Sequence, residues 1–565
     1  MKRTLFGVVL LFLAAGVVAQ PVTIARIDQP VTVDAKLDES AWQSAAKYET
    51  WYETNPGDNI EPSVKTVGYV MYDSKFLYVG LEAFDPKPGE IRAVYGDHDQ
   101  ISGASDDFMG VIIDSRNDGK TAVELFVTAR GVQYDAIQDD SGAGEDSSPD
   151  FFWDSSARIH DSGWTVEMRI PFSSLRYDNP NPEQWGLILY RNMPRDRRYQ
   201  IFTNKLPRGN NCFVCHFGKV VGLQGLPGGD HMVIAPYLTA QQLSEPRAGL
   251  GSELVNHQIG TDAGLDFKWS PTADMAVDAT INPDFSQVES DVAVISTNER
   301  FAIFLPEKRP FFLEGIELFS TPIQAVYTRT ITSPRFGGRT TGRTGDYAYT
   351  LLVTQDRGGG SVILPSAFGS GFASQEGSSI AAIGRVRRDF GSSFASFLAT
   401  TRESEEGAHN RVFGPDFQWR MGPHYTLLGQ LLYSQTDTPN RPDLADEWNG
   451  QELSGHAGYL QFTHSTATRD FYIDYRDYAD DFRADNGFVP QVGYRGSYAE
   501  GGRTWRPEGF FNRVRAYAFG EYQQTQNGDL LYRLVSAGFG ADGRYRSFTR
   551  IRVARDAVAH AGEVF

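Results

Sequence analysis

The chain has 565 residues, a formal net charge of −18 and 41% hydrophobic residues, with 57 Gly, 26 Tyr and 37 Phe. Acidity on this scale argues against a nucleic-acid partner, because a surface that neutralises phosphates carries the opposite sign. After residue 19 no apolar run is long enough for a membrane helix, so any membrane passage falls to strands, which Gly, Tyr and Phe suit.

In chain order, Lys2 and Arg3 precede an apolar run over residues 5–15, and Val17-Val18-Ala19 supplies a small-residue cleavage site. This pattern predicts a cleaved signal peptide over 1–19, hence export; no cysteine follows for a lipid anchor. From about 22 to 226, short apolar strands alternate with turn clusters: 66–72, 76–84, 108–114, 121–128, 164–170 and 186–190. Asn117-Asp118-Gly119 and Ala129-Arg130-Gly131 carry hairpin chemistry between them, and one short helical turn is expected near 39–46. Such strands predict a β-sandwich over 20–226. From about Asp230 the pattern changes to segments of roughly ten residues with one apolar, aromatic face and one polar face, such as YTLLGQLLYS and DFYIDYRDY. That alternation predicts an antiparallel transmembrane β-barrel over 227–565, in contact with outer-membrane lipid. The expected fold is therefore all-β, a sandwich followed by a barrel.

Two resemblances sharpen this expectation. The segments VDAKLDESAWQSA (33–45), FLYVGLEAFDP (76–86), DDFMGVIIDSRNDGKTAVELFVTARGVQYDA (106–136) and GWTVEMRIPFSSLRY (163–177) resemble the carbohydrate-binding module family 9 type of sandwich. INPDFSQVESD followed by FLPEKRPFFLEG resembles the hallmark of a family in which such a sandwich precedes an outer-membrane barrel domain of unknown function. The resemblances imply an exported protein that binds polysaccharide or oligosaccharide, with the sandwich in the periplasm or at the cell surface. They also associate the sandwich with polysaccharide hydrolysis, the competing enzymatic reading. DAVAHAGEVF does not alternate before Phe565, and the strand count falls short of closure, so a C-terminally truncated member is expected.

Four groups of residues carry candidate chemistry. Trp51, Tyr95 and Trp153, with Asp97 beside them, offer aromatic faces and a hydrogen bonder for a sugar; Tyr52, Phe152, His98 and Asp154 are neighbours of the same kind. Trp42, Trp164 and Trp185 sit inside strand or motif patterns and read as core. Asp106, Asp107, Asp114 and Asp118 supply hard oxygen donors that suit Ca²⁺, or else form solvated loops. Cys212-Phe-Val-Cys215-His216 is open to three readings: a disulfide closing a tight loop, covalent attachment of a c-type haem, or a metal site. Glu307, Lys308, Arg309 and Glu314 suggest an ion-pair network lining or plugging the barrel lumen. No Gly-x-Ser-x-Gly elbow, His-Glu-x-x-His or phosphate loop is present, and a carboxylate pair for glycoside hydrolysis cannot be singled out among 71 acidic residues.

Overall fold

The computed structural model describes residues 20–565 except 142–143, 250, 284, 286–299, 359, 376, 406, 445–447, 561–562 and 565. The expected signal peptide, Phe565 and most of INPDFSQVESD lie outside the described residues.

The N-terminal part is a sandwich of a nine-stranded and a six-stranded sheet. The larger sheet is centred on Trp185–Pro194, Phe108–Asp114, Thr121–Thr128 and Gln133–Asp139; the smaller on Asp154–His160, Gly163–Pro171, Phe76–Phe84 and Thr66–Tyr72. Several of their strands read as near-continuous apolar runs because both faces are covered, one of them by the other sheet. Val79, Leu81, Val166 and Met168 meet Val111, Ile113, Leu125 and Leu189 in a single buried cluster. The larger sheet is apolar on its outer face too, where Phe108, Phe126, Tyr190 and Phe202 pack under Val214 and Phe217. The expected helical turn is a 3-10 turn, Ser40–Ser44, that buries Trp42.

From His231 the chain builds a 16-stranded sheet in which each strand pairs with the next in order. Accessibility alternates along the central strands. Along His409–Met421, Asn410, Val412, Asp416, Gln418 and Arg420 are buried, whereas Phe413 and Trp419 are exposed. Polar groups on the enclosed face and aromatics on the outer face define a wall of barrel type. The ladder runs from His231–Gln241 through Phe548–His560 to the two-residue strand Glu563–Val564, and among the described residues no pairing joins the first strand to either of the last two.

Connections differ sharply between the two ends of the wall. At one end all are tight, as at 273–274, 345–346, 391–392 and 422–424; at the other, 405–408 and 526–529 are short but most of the rest are long, including 282–333, 357–378, 438–451 and 479–493. Two of the long ones fold back inside. Phe312, Phe319 and Ile331 pack on wall residues Leu352, Ala381 and Ile383, while Ile323 and Ala325 pack with Leu398, Leu432 and Phe482. The inserts pair with each other as well, Tyr327 N donating to Asn486 O at 2.6 Å and Phe488 N to Gln324 O at 2.7 Å.

Such buried, irregular segments need donors for their oxygens. Wall arginines supply them. Arg339 Nη1 donates to Phe312 O (2.8 Å), Arg385 Nη1 to Leu318 O (2.8 Å), and Arg402 Nη2 to Thr330 Oγ1 (3.1 Å).

Candidate functional site

The first candidate is built where three stretches of the sandwich converge: the 95–103 loop, strand Gln133–Asp139 and the 147–153 segment. Asp99 adopts a left-handed backbone (φ 65°), its N–H donating to Gln133 O (3.0 Å), and its Oδ1 accepts Asp135 N (3.1 Å). Asp135 is fully buried, and its Oδ2 accepts Trp153 Nε1 (2.9 Å) and Phe151 N (3.1 Å). Burial pushes its carboxyl up to about 6. The same carboxylate thus locks the segment that presents Phe152.

Tyr95 and Phe152 are each 75% exposed. The Arg130 guanidinium lies 5.4 Å from the Tyr95 ring centre, and Asp97 is exposed nearby in sequence. His98, three residues after Tyr95, has Nδ1 3.6 Å from Oδ1 of Asp150, two residues before Phe152. Each exposed ring is thus two or three residues along the chain from one polar cluster.

Trp51 and Trp153 are corrections. They are 6% and 5% exposed and belong to the sandwich core, so neither offers a face to a sugar. Period-2 patterning does not tell which ring at a strand end turns inward. Trp42, Trp164 and Trp185 are core, as their positions indicate.

The four aspartates, read as donors for Ca²⁺ or as solvated loops, do not gather at one place. Asp106 and Asp107 stand at one end of strand Phe108–Asp114, and Asp114 and Asp118 at the other. Asp106 accepts Ser102 N (2.8 Å); Asp107 pairs with Arg195 (2.7 Å). Asp114 accepts the Asp118 and Gly119 amides (3.1 and 2.9 Å), and Asp118 accepts Lys120 N (2.7 Å) and Thr121 N (2.9 Å). Burial, with the nearby Asp118 charge, pushes Asp114 up to about 7. Capping and pairing account for these groups.

Cys212 and Cys215 are joined by a disulfide that closes the tight loop. Their loop also serves the packing of the sandwich. Asp140 Oδ2 accepts the Phe213 and Val214 amides (2.6 and 2.9 Å), laying Val214 and Phe217 over the outer apolar face of the larger sheet. His216 is half-buried beside it.

The charges of the FLPEKRPFFLEG segment separate into two systems. Glu307 forms a local staple, accepting Arg309 Nε (2.8 Å), Arg309 Nη2 (2.7 Å), Thr328 Oγ1 (2.6 Å) and the Lys308 amide (3.0 Å). The Arg309 guanidinium lies over Phe312 at 4.2 Å. Glu314 instead reaches outward, pairing at 2.6 Å with Lys268 of the wall and at 2.6 Å with Arg176 of the sandwich.

That contact belongs to a larger junction. The sandwich meets the wall at its tight-turn end, with contacts at or within two residues of the tight connections there. Arg116 pairs with Asp274 (2.8 Å), Arg343 with Asp118 (3.0 Å), and Lys120, 2% exposed, with Asp389 (2.9 Å). Asn211 Nδ2 donates to Gly422 O (3.1 Å), and Arg197 Nη2 to Gly509 O (2.8 Å); Arg546 N donates to Asp196 O (2.9 Å). Gly209 (φ 67°) lies so close to the Thr466 backbone that a Cβ would collide with it. Between the two domains lies a cavity of about 560 Å³ whose lining includes Asp150, Phe152 and Arg176 of the sandwich and Lys268, Glu314 and Arg343 of the wall. The expected NDG hairpin is thus also a docking tip, which local sequence could not reveal because its partners are over 200 residues away.

Comparison with known proteins bears on these parts separately. Residues 232–344 match the family described as a domain of unknown function, DUF5916. No curated protein matches. Among solved structures, the chain is similar to a carbohydrate binding module family 9 from Caldicellulosiruptor kristjanssonii in complex with cellotriose. The identity is 14%, covering 37% of this chain and 95% of that one, with a TM-score of 0.27. It is also similar to a putative carbohydrate-binding protein from Bacteroides uniformis, at 7% identity over 36% of this chain and 98% of that one (TM-score 0.30). OccK1 (OpdK) from Pseudomonas aeruginosa matches at 10% identity over 81% of this chain and 95% of that one (TM-score 0.28). The strand order itself defines the class: an all-β protein in which a sandwich precedes a barrel.

Proposed function

We propose that the chain is a non-catalytic outer-membrane protein whose sandwich binds a polysaccharide or oligosaccharide at the inner mouth of its barrel. The observation that carries glycan binding is the pair of exposed rings, Tyr95 and Phe152, beside a polar cluster, one of them bordering the cavity at the barrel mouth. An aromatic face ringed by hydrogen bonders suits the apolar face of a pyranose. The sequence resemblance of four sandwich segments to family 9 modules points the same way. Membrane residence rests on the outward face of the wall, where Phe397, Trp419, Leu431, Val535 and Ile551 are exposed. Apolar surface of this extent is stable in lipid and a liability in water.

Orientation follows from the connections. Tight turns mark the periplasmic end of outer-membrane barrels, and the sandwich docks there, so we assign it to the periplasm. In this reading the buried carboxylates of the sandwich are structural. Glu167, raised to about 7 by burial, accepts the Asp34 and Ala35 amides (2.8 and 2.6 Å) and closes on Trp42 Nε1 (3.2 Å).

The test is a glycan array probed with the detergent-solubilised full-length chain and with Tyr95→Ala/Phe152→Ala. The reading expects binding by the parent and at least a tenfold loss in the double variant. Equal binding by both, or none by the parent, contradicts it.

A further inference from the structure

The polar cluster near Tyr95 and Phe152 has a geometry that hydrogen bonding does not explain. One donor atom from each of His98, Asp99, Asp135 and Asp150 lies within 4.8 Å of every other. His98 Nδ1 stands 3.4 Å from Asp99 Oδ2 and 3.6 Å from Asp150 Oδ1, and Nε2 stands 3.7 Å from Asp135 Oδ2. These gaps exceed good hydrogen bonds. An imidazole binds a given ion through one nitrogen, and the two Nδ1 gaps are close to the spacing of atoms that share one small divalent ion, where bonds of about 2.1 Å place tetrahedral neighbours about 3.4 Å apart.

A second observation is independent of that spacing. Asp135 is fully buried, its Oδ2 is engaged by Trp153 and Phe151, and its Oδ1 has no hydrogen-bond partner. An orphaned oxygen on a buried carboxylate carries a full desolvation cost, and such groups call for a specific explanation. A divalent cation held by this carboxylate supplies such an explanation and offsets two of the three carboxylate charges that surround a single imidazole.

We propose that His98, Asp99, Asp135 and Asp150 form a binding site for one divalent transition-metal ion of the zinc class. An imidazole nitrogen among the donors favours zinc-like ions over Ca²⁺, which takes oxygen ligands in larger numbers. Asp135 is the preset ligand, fixed on its strand. Asp99 is held by the left-handed turn, and His98 and Asp150 arrive from two surface segments. Bound metal ties those segments together. The site is distinct from the Asp106, Asp107, Asp114 and Asp118 positions, whose oxygens cap amides and pair with arginines.

The experiment uses the full-length chain in detergent, stripped with chelator and dialysed against Zn²⁺ or, separately, Ca²⁺, with bound metal determined by elemental analysis. The expected result is one equivalent of Zn²⁺ and a rise in the sandwich unfolding temperature, with affinity falling at least tenfold in His98→Ala and Asp135→Asn. His98→Ala is the decisive variant, because that side chain is partly exposed and removing it leaves the core intact. Failure of the parent to retain Zn²⁺, retention of Ca²⁺ in its place, or undiminished Zn²⁺ binding by His98→Ala overturns the proposal.

Discussion

The sandwich and the barrel wall are both built mainly of antiparallel strands, yet they bury opposite faces. In the sandwich, apolar side chains of facing sheets meet in the middle, and Trp164 and Val111 are 0% exposed. In the wall, arginines, aspartates and threonines face the enclosed side while Phe397 and Trp419 face outward. The same period-2 rule therefore yields an apolar core in one half and an apolar outward surface in the other. Solvent decides which face is inside.

Substitutions that leave the pattern intact in one half and break it in the other sharpen this contrast. The largest effect is expected for Trp164→Ala, which opens a cavity between the two sheets and costs the sandwich about 3–5 kcal/mol. Phe397→Ala, at an outward wall position, should leave the sandwich transition unmoved. Calorimetry of the solubilised chain separates the two.

Next comes Glu124, buried in the larger sheet, whose carboxyl is raised to about 8 by burial, with Glu145 and Asp140 adding repulsion. A raised carboxyl favours the protonated folded state. Its contribution is complete below about pH 4.5 and is lost as pH rises towards 8. Glu124→Gln should therefore match the parent near pH 4.5 and exceed it near pH 8 by a few kcal/mol, each pKa unit being worth about 1.4 kcal/mol. Unfolding followed across that range checks the slope.

Leu431→Arg, which places a charge on the outward face, should cost about 2–4 kcal/mol in lipid. The readout is the urea midpoint of refolding into vesicles, with little change expected in the sandwich. The smallest effect is expected at the junction. Gly209→Ala introduces a Cβ at a left-handed position against Thr466 and should loosen docking by about 1–2 kcal/mol. Limited proteolysis of the 203–217 loop would report it while both domains remain folded.

Much of this architecture was legible in sequence. Strands Thr66–Tyr72, Phe76–Phe84, Phe108–Asp114 and Thr121–Thr128 fall where alternation and turn residues place them. Wall strands such as Pro334–Thr344 (PRFGGRTTGRT) and Ser379–Phe390 (SIAAIGRVRRDF) are harder to see, because their buried positions mix Arg, Gly, Thr and Ser with few apolar residues. The site was less legible. Tyr95 and Asp97 are exposed as the sugar reading requires, but Trp51 and Trp153 are core. His98, Asp99, Asp135 and Asp150 span 53 positions and meet only because the 95–103 loop and the 147–153 segment bracket one strand. Lys120 and Asp389 likewise have no local signature for their pairing across the junction.

The central claim is that the sandwich caps the inner mouth of a membrane-embedded barrel. It is tested most directly by labelling single cysteines, Lys36→Cys on the sandwich and Asp443→Cys on a long connection, with a membrane-impermeant maleimide. The account predicts that in intact cells Asp443→Cys is labelled and Lys36→Cys is not, and that Lys36→Cys reacts once the outer membrane is permeabilised. Labelling of Lys36→Cys in intact cells, with Asp443→Cys protected, would contradict it.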